Sequence, residues 1–184
     1  MFKKEVERLV QLWVLEVANC SEWGAPSFAQ PKPKSNQVRF LSDFININKQ
    51  LKQKPYDIPK INDMLLKLKG FQYAKSLDLN MGYYHIRLSK NVSDLCKIIL
   101  PWGKNCYKRL PMRFANLLDI SQYKTNDLFH GFEFICAYIN GILILKKGDW
   151  TDHVQKLEST LIKLKVKGLK YNIEESFFGQ TKLE

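Results

Sequence analysis

The chain has 184 residues, with 29 lysines and arginines against 18 acidic residues, a formal net charge of +11 and a hydrophobic share of 45%. This length and apolar content suffice for one domain, or for two small subdomains that share a core. The charge favours a phosphate-rich partner, although anionic membranes and acidic proteins also fit a basic chain.

Four classes of protein are disfavoured by the residue pattern. The four cysteines show no close pair, which speaks against a zinc ribbon and against a disulfide scaffold. The longest apolar stretch, residues 134–145, is too short to span a bilayer, and the charged N-terminus does not resemble a signal peptide. We therefore expect an intracellular protein, cytoplasmic or nuclear, that is neither secreted nor bound to a membrane.

The first third of the chain predicts two helices and a strand. Apolar residues at helical spacing predict an amphipathic helix over about residues 3–18. The Gly- and Pro-rich stretch 21–37 predicts irregular chain, and VRFLSDF (38–44) predicts a strand. A second helix is predicted over 55–70, because Asp57 suits its N-cap and Gly70 suits the position after its end.

The remainder predicts mainly strands, followed by a helix. The predicted strands are YAKSLDL (73–79), YHIRL (84–88), LCKIIL (95–100), NCYKRL (105–110) and the two apolar runs around Asn140-Gly141. Asn-Gly between β-forming residues is typical of a two-residue hairpin turn. Helices are predicted over 118–132 and 149–168. Helices and strands interleave without a regular βαβ rhythm, so the predicted fold class is α+β.

Several motifs, in this order and at these spacings, resemble the reverse transcriptases of gypsy-type long-terminal-repeat retrotransposons, from about Glu16 to the last residue. The motifs are SEWGAPSF, VRFLSDFININK, PYDIPKINDMLLKLKGFQYAKSLDLNMGYYHIRL, LPWGK, RLP and AYINGILIL, then DWTDH, GLKYN and FF. The resemblance implies a right-hand polymerase fold with fingers and palm, in which a mainly antiparallel palm sheet packs on helices. It implies one reverse transcriptase domain over residues 1–184, and we expect the family's thumb and ribonuclease H to be missing.

The resemblance also implies a reaction. The family copies an RNA or DNA primer–template, using deoxynucleoside triphosphates as substrates and Mg²⁺ or Mn²⁺ as cofactor. Two such ions stabilise the attacking and leaving oxygens, and carboxylates hold them. Asp78, in SLDLNMGYY, matches the family's first aspartate, and Leu79 is assigned to the same metal and nucleotide site. The two hairpin aspartates of the family are replaced by Asn140 and Gly141.

This replacement removes two negative charges that would face the metal ions. Charges at such range interact by several kcal/mol even at an effective dielectric of about 20. We therefore expect weak metal binding and an uncompensated transition state.

Further nucleotide-binding positions follow from the same resemblance. Arg39 matches a residue that contacts the triphosphate, a role that suits a forked guanidinium, and Lys32 or Lys34 would assist it. Tyr83 matches the residue that excludes a 2′-hydroxyl, and Met112 lies in the matching nucleotide site. The alternative for the basic residues is a solvated hairpin, and the alternative for Tyr83 is a packed tyrosine.

Other positions also depart from the family pattern. Arg113, Leu118 and Ser121 replace a glycine, a proline and a phenylalanine, and the bulky Arg113 is expected to crowd the nucleotide pocket. Glu174 and Glu175 occupy positions where the family usually has lysines. The prediction is a degenerate, catalytically inactive copy. The alternatives are a nucleic-acid-binding remnant and a weak Mn²⁺-dependent polymerase that uses Asp78 and substrate phosphates.

Overall fold

The computed structural model describes residues 2–18, 23–31, 38–52, 55–58, 73–146 and 149–180. The chain divides into two compact units. The first unit consists of Met1–Lys54 and Tyr83–Leu117, and the second consists of Pro55–Gly82 and Leu118–Glu184.

The helices and strands alternate irregularly along the chain. In chain order they are α1 (Phe2–Gln11), β1 (Leu15–Val17), β2 (Ala25–Pro31), β3 (Val38–Ser42), α2 (Ile45–Asn48), β4 (Tyr73–Leu79), a 3₁₀ turn (Gly82–His85), α3 (Lys90–Leu95), β5 (Lys97–Leu100), β6 (Gly103–Tyr107), α4 (Leu117–Leu128), β7 (Ile135–Tyr138), β8 (Gly141–Lys146), α5 (Trp150–Val166) and β9 (Tyr171–Gln180). The predicted mixture of helices and mainly antiparallel sheets is confirmed.

The first unit contains a sheet of five strands in the order β1-β6-β5-β2-β3. The pair β2–β5 is parallel, and the other pairs are antiparallel. Tyr107 and Phe44 are almost fully buried in this unit, and their rings meet edge to face with centroids 5.8 Å apart. Such aromatic contacts add to the free energy gained by burying the rings.

The second unit contains an antiparallel sheet in the order β7-β8-β4-β9. Its core cluster consists of Leu77, Leu79, Ile142 and Ile144 from β4 and β8, with Phe129 next to α4 and Leu164 from α5. Helix α5 begins as predicted, since the Asp149 side chain accepts a hydrogen bond from Asp152 N at 3.0 Å. Gly168, with φ of +68°, follows its end.

Three predictions of secondary structure were wrong. Helix α1 ends at Gln11 rather than continuing to residue 18, because Trp13 has a φ of 57° and Leu15–Val17 pairs with β6 as strand β1. Residues 25–31 form strand β2 instead of irregular chain, and residues 82–85 form a 3₁₀ turn where 84–88 was predicted as a strand. In the first two cases pairing with a distant strand outweighed local preference.

Other predictions were confirmed or lie outside the described residues. The hairpin of β5 and β6, the strands β3 and β4, and the helices α4 and α5 agree with the sequence. The helix predicted over 55–70 falls almost entirely outside the described residues, and so do Lys32 and Lys34. No helix in the described parts of the chain is long and apolar enough to cross a membrane.

Arg113 adopts a backbone conformation that suits the glycine expected at this position from the resemblance. Its φ is 67°, in the left-handed region that residues other than glycine rarely occupy. Asn48 holds this turn, because its side chain donates to Arg113 O at 2.8 Å and accepts from Ala115 N at 2.9 Å. The guanidinium lies over the Phe28 ring at 5.3 Å.

This strain predicts the order of stability of two variants. Arg113→Gly should have a larger free energy of unfolding than Arg113→Ala, by about 1 kcal/mol, because both lose the guanidinium and only glycine relieves the left-handed strain. Urea denaturation of the two variants measures the difference. An alanine variant at least as stable as the glycine variant would show that the turn is not strained.

Candidate active site

The hairpin formed by β7 and β8 confirms the predicted hairpin but not the predicted turn. Tyr138 pairs with Gly141, so the two central residues of the turn are Ile139 and Asn140. Gly141 is already the first residue of β8. Ile139 has a φ of 55°, an outlier for a β-branched residue. The predicted Asn140-Gly141 turn was therefore wrong by one residue.

Gln122 on α4 holds this strained turn in place. Its side chain is fully buried, accepts a hydrogen bond from Ile139 N at 2.8 Å and donates one to Ala137 O at 2.8 Å. From the other side, Leu79 N donates to Asn140 O at 2.9 Å. Strained residues persist only where their surroundings fix them in this way.

Asp78 lies beside the hairpin in the middle of the sheet. It pairs with Gly141 on β8 and with Asn172 on β9. Residues directly opposite each other in an antiparallel pair project to the same face of the sheet. Because Gly141 has no side chain, the position next to Asp78 where the family carries an aspartate is bare.

The side-chain oxygen of Asn140 does not replace the missing carboxylate oxygen as an accessible metal ligand. A Cβ atom placed on Gly82 would lie only 2.7 Å from Asn140 Oδ1, so the amide lies against the backbone of Gly82. This oxygen is buried, and it has no hydrogen-bond partner in the described part of the chain.

A bulge in β9 brings a second carboxylate to Asp78. Asn172 pairs with Asp78 and Phe177 pairs with Ser76. Between these two pairs, β9 advances by five residues while β4 advances by two. Asp78 N donates to Ser176 Oγ at 3.2 Å within this bulge. Bulges often redirect a side chain next to a functional site.

Glu175, which lies in the bulge, contacts Asp78 directly. Burial, together with the negative charge of Glu175 and a hydrogen bond between the two side chains, raises the pKa of Asp78 above its ordinary value. The resemblance places a lysine near this position, and a lysine would have the opposite effect. The surroundings therefore disfavour the ionised form of Asp78, which is the form that binds a metal.

These residues do not fit a pair of Mg²⁺ ions. Mg²⁺ requires hard oxygen ligands with near-octahedral geometry, usually anchored by carboxylates. In the described residues no group of three or more His, Cys, Asp or Glu side chains is arranged to hold a metal. The amide oxygen of Asn140 lies against Gly82, and position 141 provides no side chain.

The remaining predicted site residues are distributed over both units. The side chain of Leu79 lies in the hydrophobic core of the second unit, so only the main chain of this residue is available to the predicted site. Arg39 is exposed on β3, Tyr83 lies in the 3₁₀ turn and Met112 lies in the turn before Arg113; all three belong to the first unit. The second unit thus brings together Asp78, Asn140 and Gly141.

Sequence reasoning missed the roles that two residues have in this site. Gln122, which is fully buried, directly follows Ser121, and its place beside a position compared with the family pattern was the sequence signal not used. The approach of Glu175 to Asp78 depends on an irregular bulge. No local pattern in the sequence predicts such a bulge.

Comparison with known proteins supports the resemblance at a coarser level. No family model matches the chain. It is 30% identical over 190 residues to the retrovirus-related Pol polyprotein of the transposon opus of Drosophila melanogaster, covering 99% of this chain and 18% of the relative. It is 29% identical over 188 residues to the enzymatic polyprotein of Soybean chlorotic mottle virus, covering 100% of this chain and 27% of the relative. The chain thus spans about a fifth to a quarter of these relatives.

The fold matches that of a retroviral reverse transcriptase. The structure of a foamy viral protease–reverse transcriptase in complex with double-stranded DNA superposes with a TM-score of 0.91 at 19% identity, over 99% of this chain and 32% of that one. The chain thus has a reverse-transcriptase-like fold and is similar in sequence to transposon and viral polyproteins.

The contacts of Gln122 predict its contribution to stability. Gln122→Ala should lower the free energy of unfolding by about 2–4 kcal/mol, because it leaves the half-buried Ile139 N–H and the buried Ala137 C=O without their partner. Gln155→Ala is the matched control: Gln155 is exposed on α5, and its loss should cost less than about 0.5 kcal/mol. Equal effects in urea denaturation would contradict the role of Gln122.

Proposed function

We propose that the chain is the reverse transcriptase domain of a gypsy-type retrotransposon polyprotein, with fingers and palm, that has lost polymerase activity. The observation that carries this proposal is the pairing of Asp78 with Gly141, where the family has a second carboxylate. Similarity to the opus polyprotein and the reverse-transcriptase-like fold support the family. The bare position beside Asp78 supports the loss of activity.

The site has lost its charge while retaining its shape. A Cβ on Gly141 would meet only Tyr138 O, at 3.4 Å, which is ordinary van der Waals contact. Gly141 is not among the residues with positive φ, so an aspartate fits its backbone. At position 140 aspartate and asparagine have the same shape, so neither aspartate would clash with the hairpin. To reach a metal ion, an aspartate at position 140 would have to turn its side chain away from Gly82.

Binding of nucleic acid without catalysis is the second candidate function. The net charge of +11 favours a polyanionic partner. The foamy viral relative in fold was solved in complex with double-stranded DNA. Contacts with the phosphate backbone require no metal ion and depend strongly on salt, so this function can survive the loss of the aspartates.

Single-nucleotide extension of a DNA primer on an RNA template tests the proposal. In Mg²⁺ and in Mn²⁺, the natural chain should not extend the primer above the level of Asp78→Asn. The double variant Asn140→Asp/Gly141→Asp should extend it, because restored carboxylates can hold the metal ions. A triple variant with added Glu175→Lys removes the second carboxylate beside Asp78 and should extend at least as fast.

Two results would overturn the proposal in different ways. Extension by the natural chain that Asp78→Asn abolishes would show an active polymerase. Extension by none of the variants, in samples whose circular dichroism shows a folded chain, would show that more than charge has been lost from the site.

A further inference from the structure

Arg87 and Arg109 lie directly opposite each other in an antiparallel bridge within the first unit. Two backbone hydrogen bonds flank the pair, from Leu88 N to Lys108 O at 3.0 Å and from Leu110 N to Ile86 O at 2.9 Å. This pattern defines a non-hydrogen-bonded pair, in which opposite Cα atoms are about 4.5 Å apart and the side chains come closest. The two arginines therefore project side by side from one face.

This face is directed outward. Neighbouring residues of an extended strand point to opposite faces, and Leu110, next to Arg109, is only 1% exposed. Arg87 is exposed and Arg109 is half-buried. One guanidinium nitrogen of Arg109 donates to His85 O at 3.4 Å, which orients that side chain along the bridge.

No carboxylate in the described residues forms an ion pair with either arginine. The nearby cations differ in this respect: Lys97 pairs with Asp94 at 3.7 Å, and Lys108 pairs with Glu16. Burial and the charge of Arg87 lower the pKa of Arg109 from its ordinary value. Like charges directly opposite each other destabilise a strand pair, so the free protein retains a repulsion that an anion would remove.

We propose that Arg87 and Arg109 together bind one phosphate group of a nucleic-acid backbone. Two adjacent guanidinium groups offer a fork of donors that matches phosphate oxygens. The inference rests on the nucleic-acid binding described under Proposed function and assigns to it a specific pair of residues in the first unit. Neither residue belongs to the candidate active site.

Fluorescence anisotropy with a labelled RNA–DNA hybrid duplex tests this assignment at several salt concentrations. Arg87→Gln/Arg109→Gln should raise Kd on the order of tenfold and reduce the salt slope by about one, as expected for one lost phosphate contact. Lys97→Gln/Lys108→Gln is the control, because it removes the same two charges from lysines that already have carboxylate partners. It should change Kd and the slope clearly less.

A stability measurement separates a binding role from a structural one. If the function of the two arginines is to bind an anion, Arg87→Gln should raise the melting temperature of the free chain by about 1–3 °C, because it removes a like-charge repulsion. A residue that merely supports the fold would lower the melting temperature when replaced. A lower value would therefore contradict the inference.

The outcomes distinguish this inference from the proposed function. If the natural chain binds the duplex and the arginine variant binds equally well, or both double variants weaken alike, the pair is not a phosphate site. If the natural chain shows no binding even at low salt, nucleic-acid binding itself fails. Titration with inorganic phosphate, followed by NMR of the arginine side chains, then shows whether the pair takes free phosphate only, which also overturns the proposal.

Discussion

The register between β4 and β8 is the constraint on which the candidate active site depends. It places Asp78 opposite Gly141 and allows Leu79 N to bond Asn140 O, so one pairing fixes both the retained aspartate and the altered hairpin. A shift of one residue would turn Leu77 and Ile142 out of the core. Burial of these residues thus fixes the geometry of the site independently of the charge that the site carries.

Two strained positions are likewise fixed by their surroundings. Ile139 and Arg113 both have left-handed backbones, at φ of 55° and 67°. Gln122 and Asn48 hold these turns through hydrogen bonds to the main chain. Under the proposed function, the fold retains the backbone of a polymerase site while the side chains at 113, 140 and 141 have changed. Many contacts determine the backbone conformation of these turns, whereas only a few side chains determine the charge of the site.

Much of the fold could be predicted from the sequence, since periodicity and turn residues identified β4, the β5–β6 hairpin and α5. The order of the motifs then indicated that Asp78 and the hairpin with Asn140 and Gly141 form the candidate site. The sequence could not predict strand β1, which exists only because β6 lies beside it. Nor could it predict the approach of Glu175 to Asp78, which arises from a bulge without a local signature. The misplaced turn shows that Gln122 and the β4 pairing outweighed the Asn-Gly preference.

The central claim is that the site has lost its charge but not its shape, and Mn²⁺ binding measured by electron paramagnetic resonance tests it most directly. The natural chain should leave the signal of free Mn²⁺ unchanged, and Asn140→Asp/Gly141→Asp should reduce it while its circular dichroism stays the same. Uptake of Mn²⁺ by the natural chain that Asp78→Asn abolishes would contradict the claim.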